Sequence, residues 1–443
     1  MTASGAGSSD GNRAAHPSIS LFGNLASTPG ECVFDPLDVR PLFPALERTL
    51  GGDPVVYLDG PGGTQTPRAV SAAMAAVLDG GVSNIGGRFA SSRDSDEIMA
   101  AARNAVGDLI NASDSNEIAF GQNMTSLTFA ASRALARTWG PGDEIIVTRL
   151  DHDANITPWV VAAEERGVTV RWLDFLPEDD CNLDYAALER LLTRRTRLVA
   201  VTHASNAVGT VVDVAGVVKA AHSMGALVFV DAVHYAPHGL VDVQSLDCDF
   251  LVASAYKFFG PHTGFLYGRH MLLAELETYK VRPAPSDPPG KWETGTQSFE
   301  SLAGVTAAID YLASLGGGRA ASPRRTALRS SMEAIGVHER GLADAFLEAS
   351  ADRDFITVYG PGGANRTPTF AVAIAGLTPQ EIQQRLGERG VFVWAGHHYA
   401  VEVMQRLGVL AAGGLVRIGF VHYNTMAELA RLMGALDEIS TGA

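Results

Sequence analysis

Asp231 closes the apolar run Leu227-Val228-Phe229-Val230, and Lys257 follows the run that begins at Phe250. In open α/β sheets, ligands bind beyond the carboxyl ends of the strands, and both residues follow apolar runs at such an end. A lysine there can form an imine with a carbonyl cofactor. A carboxylate beside it can keep a pyridine nitrogen protonated, so that the ring accepts the electrons of a carbanion. The pair therefore supplies what pyridoxal phosphate (PLP) requires, with the cofactor held as a Schiff base on Lys257. The two positions alone fit equally well a helix-capping aspartate and an exposed lysine at a strand end, so the surrounding sequence has to decide.

Around the pair, residues 55–267 alternate short β-branched runs with longer amphipathic stretches, the pattern of a mainly parallel sheet with helices on both faces. Strands are predicted at 117–120, 144–148, 169–173, 198–203, 227–230, 250–254 and 264–267. Helices are predicted at 126–138, 156–166 and 214–222, where apolar residues recur every three or four positions. The glycines Gly316, Gly317 and Gly318 interrupt the pattern after Leu312, which marks a domain boundary. Beyond it, strands are predicted at 355–358, 369–374, 392–394 and 416–420, and helices at 323–348, 379–389 and 425–439. The organisation expected is an extended or disordered arm over 1–40, a large α/β domain over 41–312 and a small α+β domain over 313–443. No internal repeat is present.

Composition narrows the function. The 443 residues are 46% hydrophobic and 19% charged, as in a soluble enzyme, and no apolar run is long enough to span a bilayer. A net charge of −15 and the lack of a long basic block argue against nucleic acid. Cys32, Cys181 and Cys248 form no CxxC pair, so neither a disulfide framework nor a thiolate metal site is expected, and a cytoplasmic setting fits. Residues 1–18 are rich in Gly, Ser and Ala and lack the pattern of a secretory signal; they read as a disordered extension.

The segments around the pair resemble the class V aminotransferase and cysteine desulfurase family of fold-type I PLP enzymes, from Tyr57 to the C-terminal helix. The motif beginning Tyr57-Leu58-Asp59-Gly60 resembles the family's opening strand and turn. Asn123-Met124-Thr125-Ser126 stands at its phosphate-binding turn, where backbone amides at a helix start hold an anion. The resemblance assigns ring stacking to His152, contact near the ring hydroxyl to Asn206, and the pyridine nitrogen to Asp231. His234 stands where desulfurases usually carry glutamine and can still donate a hydrogen bond. Ser254 is implied to bind phosphate, and Tyr256 replaces the histidine common before Lys257. Glu293-Thr294-Gly295-Thr296 resembles a turn whose threonine reaches the phosphate of the neighbouring subunit, which implies a homodimer with shared sites through Thr296.

The C-terminal region bears on the reaction. The segment His397-His398-Tyr399 resembles the desulfurase segment ending in the nucleophilic cysteine, but a tyrosine holds that position. A phenol with a pKa of about 10 is a poor replacement for a thiolate in persulfide formation. Trp394 stands where desulfurases often carry arginine, and Arg417 matches the family's arginine for the substrate α-carboxylate. The expected activity is a C–S β-lyase acting on a cysteine S-conjugate, with Trp394 and Tyr399 lining the pocket for the S-substituent. Transamination, epimerisation and decarboxylative deamination use the same lysine and aspartate and stay open. Two other readings fail: Gln65 stands where a dinucleotide-binding turn needs its third glycine, and the adjacent His397 and His398 have no carboxylate spaced to complete a metal site.

Overall fold

The computed structural model describes residues 34–316, 322–363 and 365–442. The extension read at 1–18, Cys32 and the glycines Gly317 and Gly318 lie outside them.

The large sheet has seven strands: β1 (Ile118–Gly121), β2 (Glu144–Thr148), β3 (Thr169–Leu173), β4 (Thr196–Thr202), β5 (Leu227–Asp231), β6 (Phe250–Ser254) and β7 (Gly264–Gly268). Their order is β1-β7-β6-β5-β4-β2-β3, parallel throughout except that β7 runs antiparallel to both of its neighbours. The expected mainly parallel α/β sheet is present. Parallel strands covered on both faces need continuous apolar runs, and Val228, Phe229, Val230, Leu251, Val252 and Ala253 are all fully buried. Each such Val, Leu or Phe contributes about 1.5–3 kcal/mol of burial free energy, which fixes the strand ends that carry the chemistry. In register, Asp231 sits opposite Thr202 of β4 and Val252 of β6. Its carboxylate therefore stands at the carboxyl edge of the sheet.

The second sheet holds β8 (Ile356–Tyr359), β9 (Thr369–Ile374), β10 (Trp394–Gly396) and β11 (Leu415–Gly419), in the order β8-β9-β11-β10. The strand expected at 392–394 divides: Val391–Phe392 pairs in parallel with Val56–Tyr57, and Trp394–Gly396 joins β11. Each piece satisfies its backbone groups on a different neighbour. The grouping of residues 41–312 as one unit also differs from the packing. Val56 and Leu58 are buried in the core of the second sheet, with Phe346, Phe370, Ile418 and Leu436. Arg40, placed in the arm, pairs with Glu428 at 2.9 Å and donates to Tyr423 O. No described helix is long and apolar enough to cross a membrane.

Candidate active site

A cavity of about 970 Å³ opens where the two sheets meet, with Lys257, Asp231, His152, Asn206, Trp394 and Arg417 among its walls. After β6, the chain makes a tight turn over Ala255–Lys257, which turns the lysine back across the sheet edge. Phe259, fully buried, closes this turn with a φ of 71°, a conformation costly for a bulky residue. The N-terminal turn braces it: Thr64 N donates to Tyr256 O at 3.1 Å, and Phe259 N donates to Thr64 Oγ1 at 2.9 Å. Lys257 Nζ donates to Pro61 O at 2.5 Å and to Gly62 O at 3.0 Å. Burial lowers the Lys257 pKa to about 7, reinforced by the Arg417 charge and opposed by Asp231 and Asp59. A large share of the amine is thus neutral, and nucleophilic, at neutral pH.

Asp231 accepts from Val233 N at 2.9 Å through one oxygen, and burial raises its carboxyl to about 6 against that bond and the Lys257 charge. Such a desolvated carboxylate is stabilised by a cation placed against it, as a protonated pyridine nitrogen would be. Asp151 lies behind it, fully buried, accepting from Asn155 Nδ2 at 2.7 Å and from Thr148 Oγ1. Burial pushes Asp151 up to about 8. Above the sheet edge, burial first, then Lys257 and Arg417, lower the His152 imidazole to about 3. A neutral ring can lie against a cationic pyridine without repulsion.

The anion end is the start of the helix Met124–Ala136. Asn123 caps it, its Oδ1 accepting from Ser126 N at 2.9 Å. Met124 N donates to Ser254 Oγ at 2.9 Å, which ties this turn to β6. Gly264 of β7 lets the turn sit down on the sheet, since a Cβ there would fall 2.4 Å from the Asn123 carbonyl carbon. Thr125 and Ser126 line the cavity at this positive helix end.

At the opposite wall, β11 alternates. Val416 and Ile418 enter the core of the second sheet, so Arg417 projects to the other face, into the cavity. Its Nη1 donates to Asn206 O at 3.1 Å, and burial lowers its pKa only to about 10, so it stays cationic. Trp394, opposite Arg417 in register, is half exposed and covers Gly62, where a Cβ would meet its Nε1 at 2.9 Å. His398 and Tyr399 both adopt left-handed backbone, φ 54° and 55°. Asn206 Nδ2 donates to His398 O at 2.9 Å and Asp153 N to Tyr399 O at 2.6 Å, which holds the loop against that strain. The Tyr399 ring, 67% exposed, lies nearly parallel to His152 with centroids 5.4 Å apart.

The residues expected from sequence divide into three groups. Lys257, Asp231, His152, Asn206, His234, Thr125, Ser126, Tyr256, Arg417, Trp394 and Tyr399 all meet at this cavity. Ser254 is fully buried outside the cavity walls, where its hydroxyl accepts from the Met124 amide at 2.9 Å. Thr296 is exposed and outside the cavity walls of its own chain. Asp59 was missed. Asp59 has a buried oxygen without a hydrogen-bond partner among the described residues, and burial raises its carboxyl to about 6 against Arg417 and Lys257. Its place after the apolar run Val55-Val56-Tyr57-Leu58 could have signalled it.

The site's donors fit PLP: an amine of lowered pKa, a buried carboxylate, a neutral imidazole, a helix start for phosphate, and Asn206 Oδ1, buried without a partner among the described residues. The family model described as Aminotransferase class-V matches residues 56–432. A cysteine desulfurase of Dickeya dadantii (strain 3937) is 32% identical over 426 residues, covering 91% of this chain and 97% of its own. The crystal structure of the Escherichia coli cysteine desulfurase CsdA superposes with a TM-score of 0.79 at 29% identity, covering 92% of this chain and 98% of its own. The apo structure of a cysteine desulfurase from Thermococcus onnurineus NA1 superposes with a TM-score of 0.82 at 26% identity, over the same 92% and 98%.

Proposed function

The chain belongs to the class-V aminotransferase family of PLP-dependent enzymes of fold type I, and on that premise we propose that it is a C–S β-lyase: it cleaves an S-substituted cysteine, with water, to a thiol, pyruvate and ammonia. The observation that carries this reading is Tyr399 on the loop facing His152, at the position where the resemblance expects the persulfide-forming cysteine. Neither described cysteine can replace it. Cys181 and Cys248 are buried away from the cavity walls, their thiols pushed up to about 11 and about 12 by burial.

Bound PLP supplies the electron sink for the pair left on Cα when its proton is removed. Arg417 binds the substrate carboxylate through its planar fork, which fixes the orientation of Cα. Lys257 takes the Cα proton, its lowered pKa placing a neutral amine there at neutral pH. The Cβ–S bond then breaks toward sulfur. A thiolate leaves without a thiol on the enzyme, since free thiols have a pKa of about 8.5. Trp394 and Tyr399 offer aromatic surface to the S-substituent. Thr296, exposed on its own chain, completes the phosphate site of a second subunit in the homodimer this reading includes.

The test is a panel of amino acids and S-substituted cysteines scored for pyruvate, keto acid, racemised product and carbon dioxide. Pyruvate from the S-substituted cysteines alone is expected. Keto acid with a converted cofactor would replace the lyase by a transaminase, and a protein-bound persulfide after incubation with free cysteine would restore the desulfurase.

A further inference from the structure

His234 forms part of a partition between the active-site cavity and a second cavity of about 210 Å³ lined by Thr367, His238 and Glu339. Its Nε2 lies 3.1 Å from Thr367 Oγ1, and the same hydroxyl lies 3.3 Å from Gly209 O. A threonine hydroxyl has one proton and here two acceptors to choose from. Burial holds the His234 imidazole neutral, helped by the charges of Arg417 and Lys257, so the ring carries a single N–H. Asp231 is the carboxylate on the cavity side, and Glu339 stands behind, bonded to His238 Nδ1 at 2.8 Å. The His238 ring meets His234 edge to face, with centroids 5.3 Å apart.

We propose that Thr367 and His234 form a tautomer switch serving the ring oxygen of the cofactor, with Thr367 as a positioning residue that acts through His234. With the Thr367 proton directed at Nε2, Nδ1 must carry the hydrogen and donates to an anionic ring oxygen. With that proton turned to Gly209 O, Nε2–H donates to Thr367, and Nδ1 becomes an acceptor for a protonated ring oxygen. One side chain thus matches both protonation states of the ring oxygen. The second cavity has room for water on the Thr367 side, so protons exchange there without passing the substrate mouth. The inference concerns the cofactor end and stands whichever reaction the substrate panel reveals.

The experiment is an absorbance titration of the PLP-loaded protein. Thr367→Val leaves Nε2 without a partner; a buried orphan N–H is the less tolerated choice, so the proton moves to Nδ1 and permanently favours the anionic ring oxygen. The pH at which the cofactor band converts should fall by about half a unit, a threefold change in the protonation equilibrium. Thr367→Ser, which keeps the hydroxyl, should leave that pH in place, and Thr367→Val should have no effect in a His234→Gln background. An unmoved or raised midpoint in the valine variant, an equal shift in the serine variant, or a shift that survives His234→Gln overturns the proposal. Nitrogen-15 shifts of the wild-type histidines give a check free of substitution: the His234 N–H should change ring nitrogen as the cofactor titrates, and a fixed tautomer overturns the switch.

Discussion

At the cofactor end of the cavity, Asp231 and Lys257 stand at the ends of strands whose interior residues are fully buried; at the substrate end, Trp394 and Tyr399 are half exposed or more. The first end is fixed by strand register and by the turn braced through Thr64. The second rests on a loop with two consecutive left-handed residues held by a few hydrogen bonds. Burial in a parallel sheet leaves little tolerance for change, whereas an exposed loop can exchange side chains at small cost in stability. On the proposed reading, the reactive groups accordingly sit on the rigid end, and the residues that would distinguish substrates sit on the adjustable one.

The largest expected effect lies at the rigid end. Lys257→Ala should abolish the borohydride-reducible link to PLP and reduce turnover by about 10³-fold or more, measured with the best substrate of the panel. A retained link would remove the basis for the cofactor assignment. Arg417→Lys, at the boundary of the two ends, should lower kcat/KM roughly 10- to 100-fold, mostly through KM, because a point charge replaces a bidentate fork. A loss confined to kcat would mean that the guanidinium does not bind ground-state substrate.

The pH dependence tests the Lys257 environment directly. With its pKa lowered to about 7, the neutral fraction grows as pH rises. PLP uptake by the cofactor-free protein should therefore speed up about tenfold between pH 6 and pH 8 and then level off. Continued acceleration toward pH 10 would show an amine in its ordinary state. The smallest effect belongs to the adjustable end: Tyr399→Ala should change the preference among S-substituents by about three- to tenfold, the range of one aromatic contact, and leave the cofactor band in place. An altered band would show that Tyr399 serves the cofactor end as well.

Much of the rigid end was legible because its signals are local. The run Leu227–Val230 announces a strand, and Asp231 follows it directly; the strands predicted at 144–148, 169–173 and 250–254 match β2, β3 and β6. The strand expected at 392–394 failed because one apolar run serves two sheets, and only the partners Val56–Tyr57 and Leu415–Gly419 reveal where it divides.

By itself the sequence determined which residues lie at strand ends, since apolar periodicity fixes where strands stop, and it determined which residue types could activate a substrate. The tertiary structure decided which of them meet. Arg417 reaches Asn206 O across 211 positions of chain, and Thr367 reaches His234 across 133. Contacts of that span are set by how the two sheets pack against each other, a property of the closed fold that leaves no trace in any local stretch of residues.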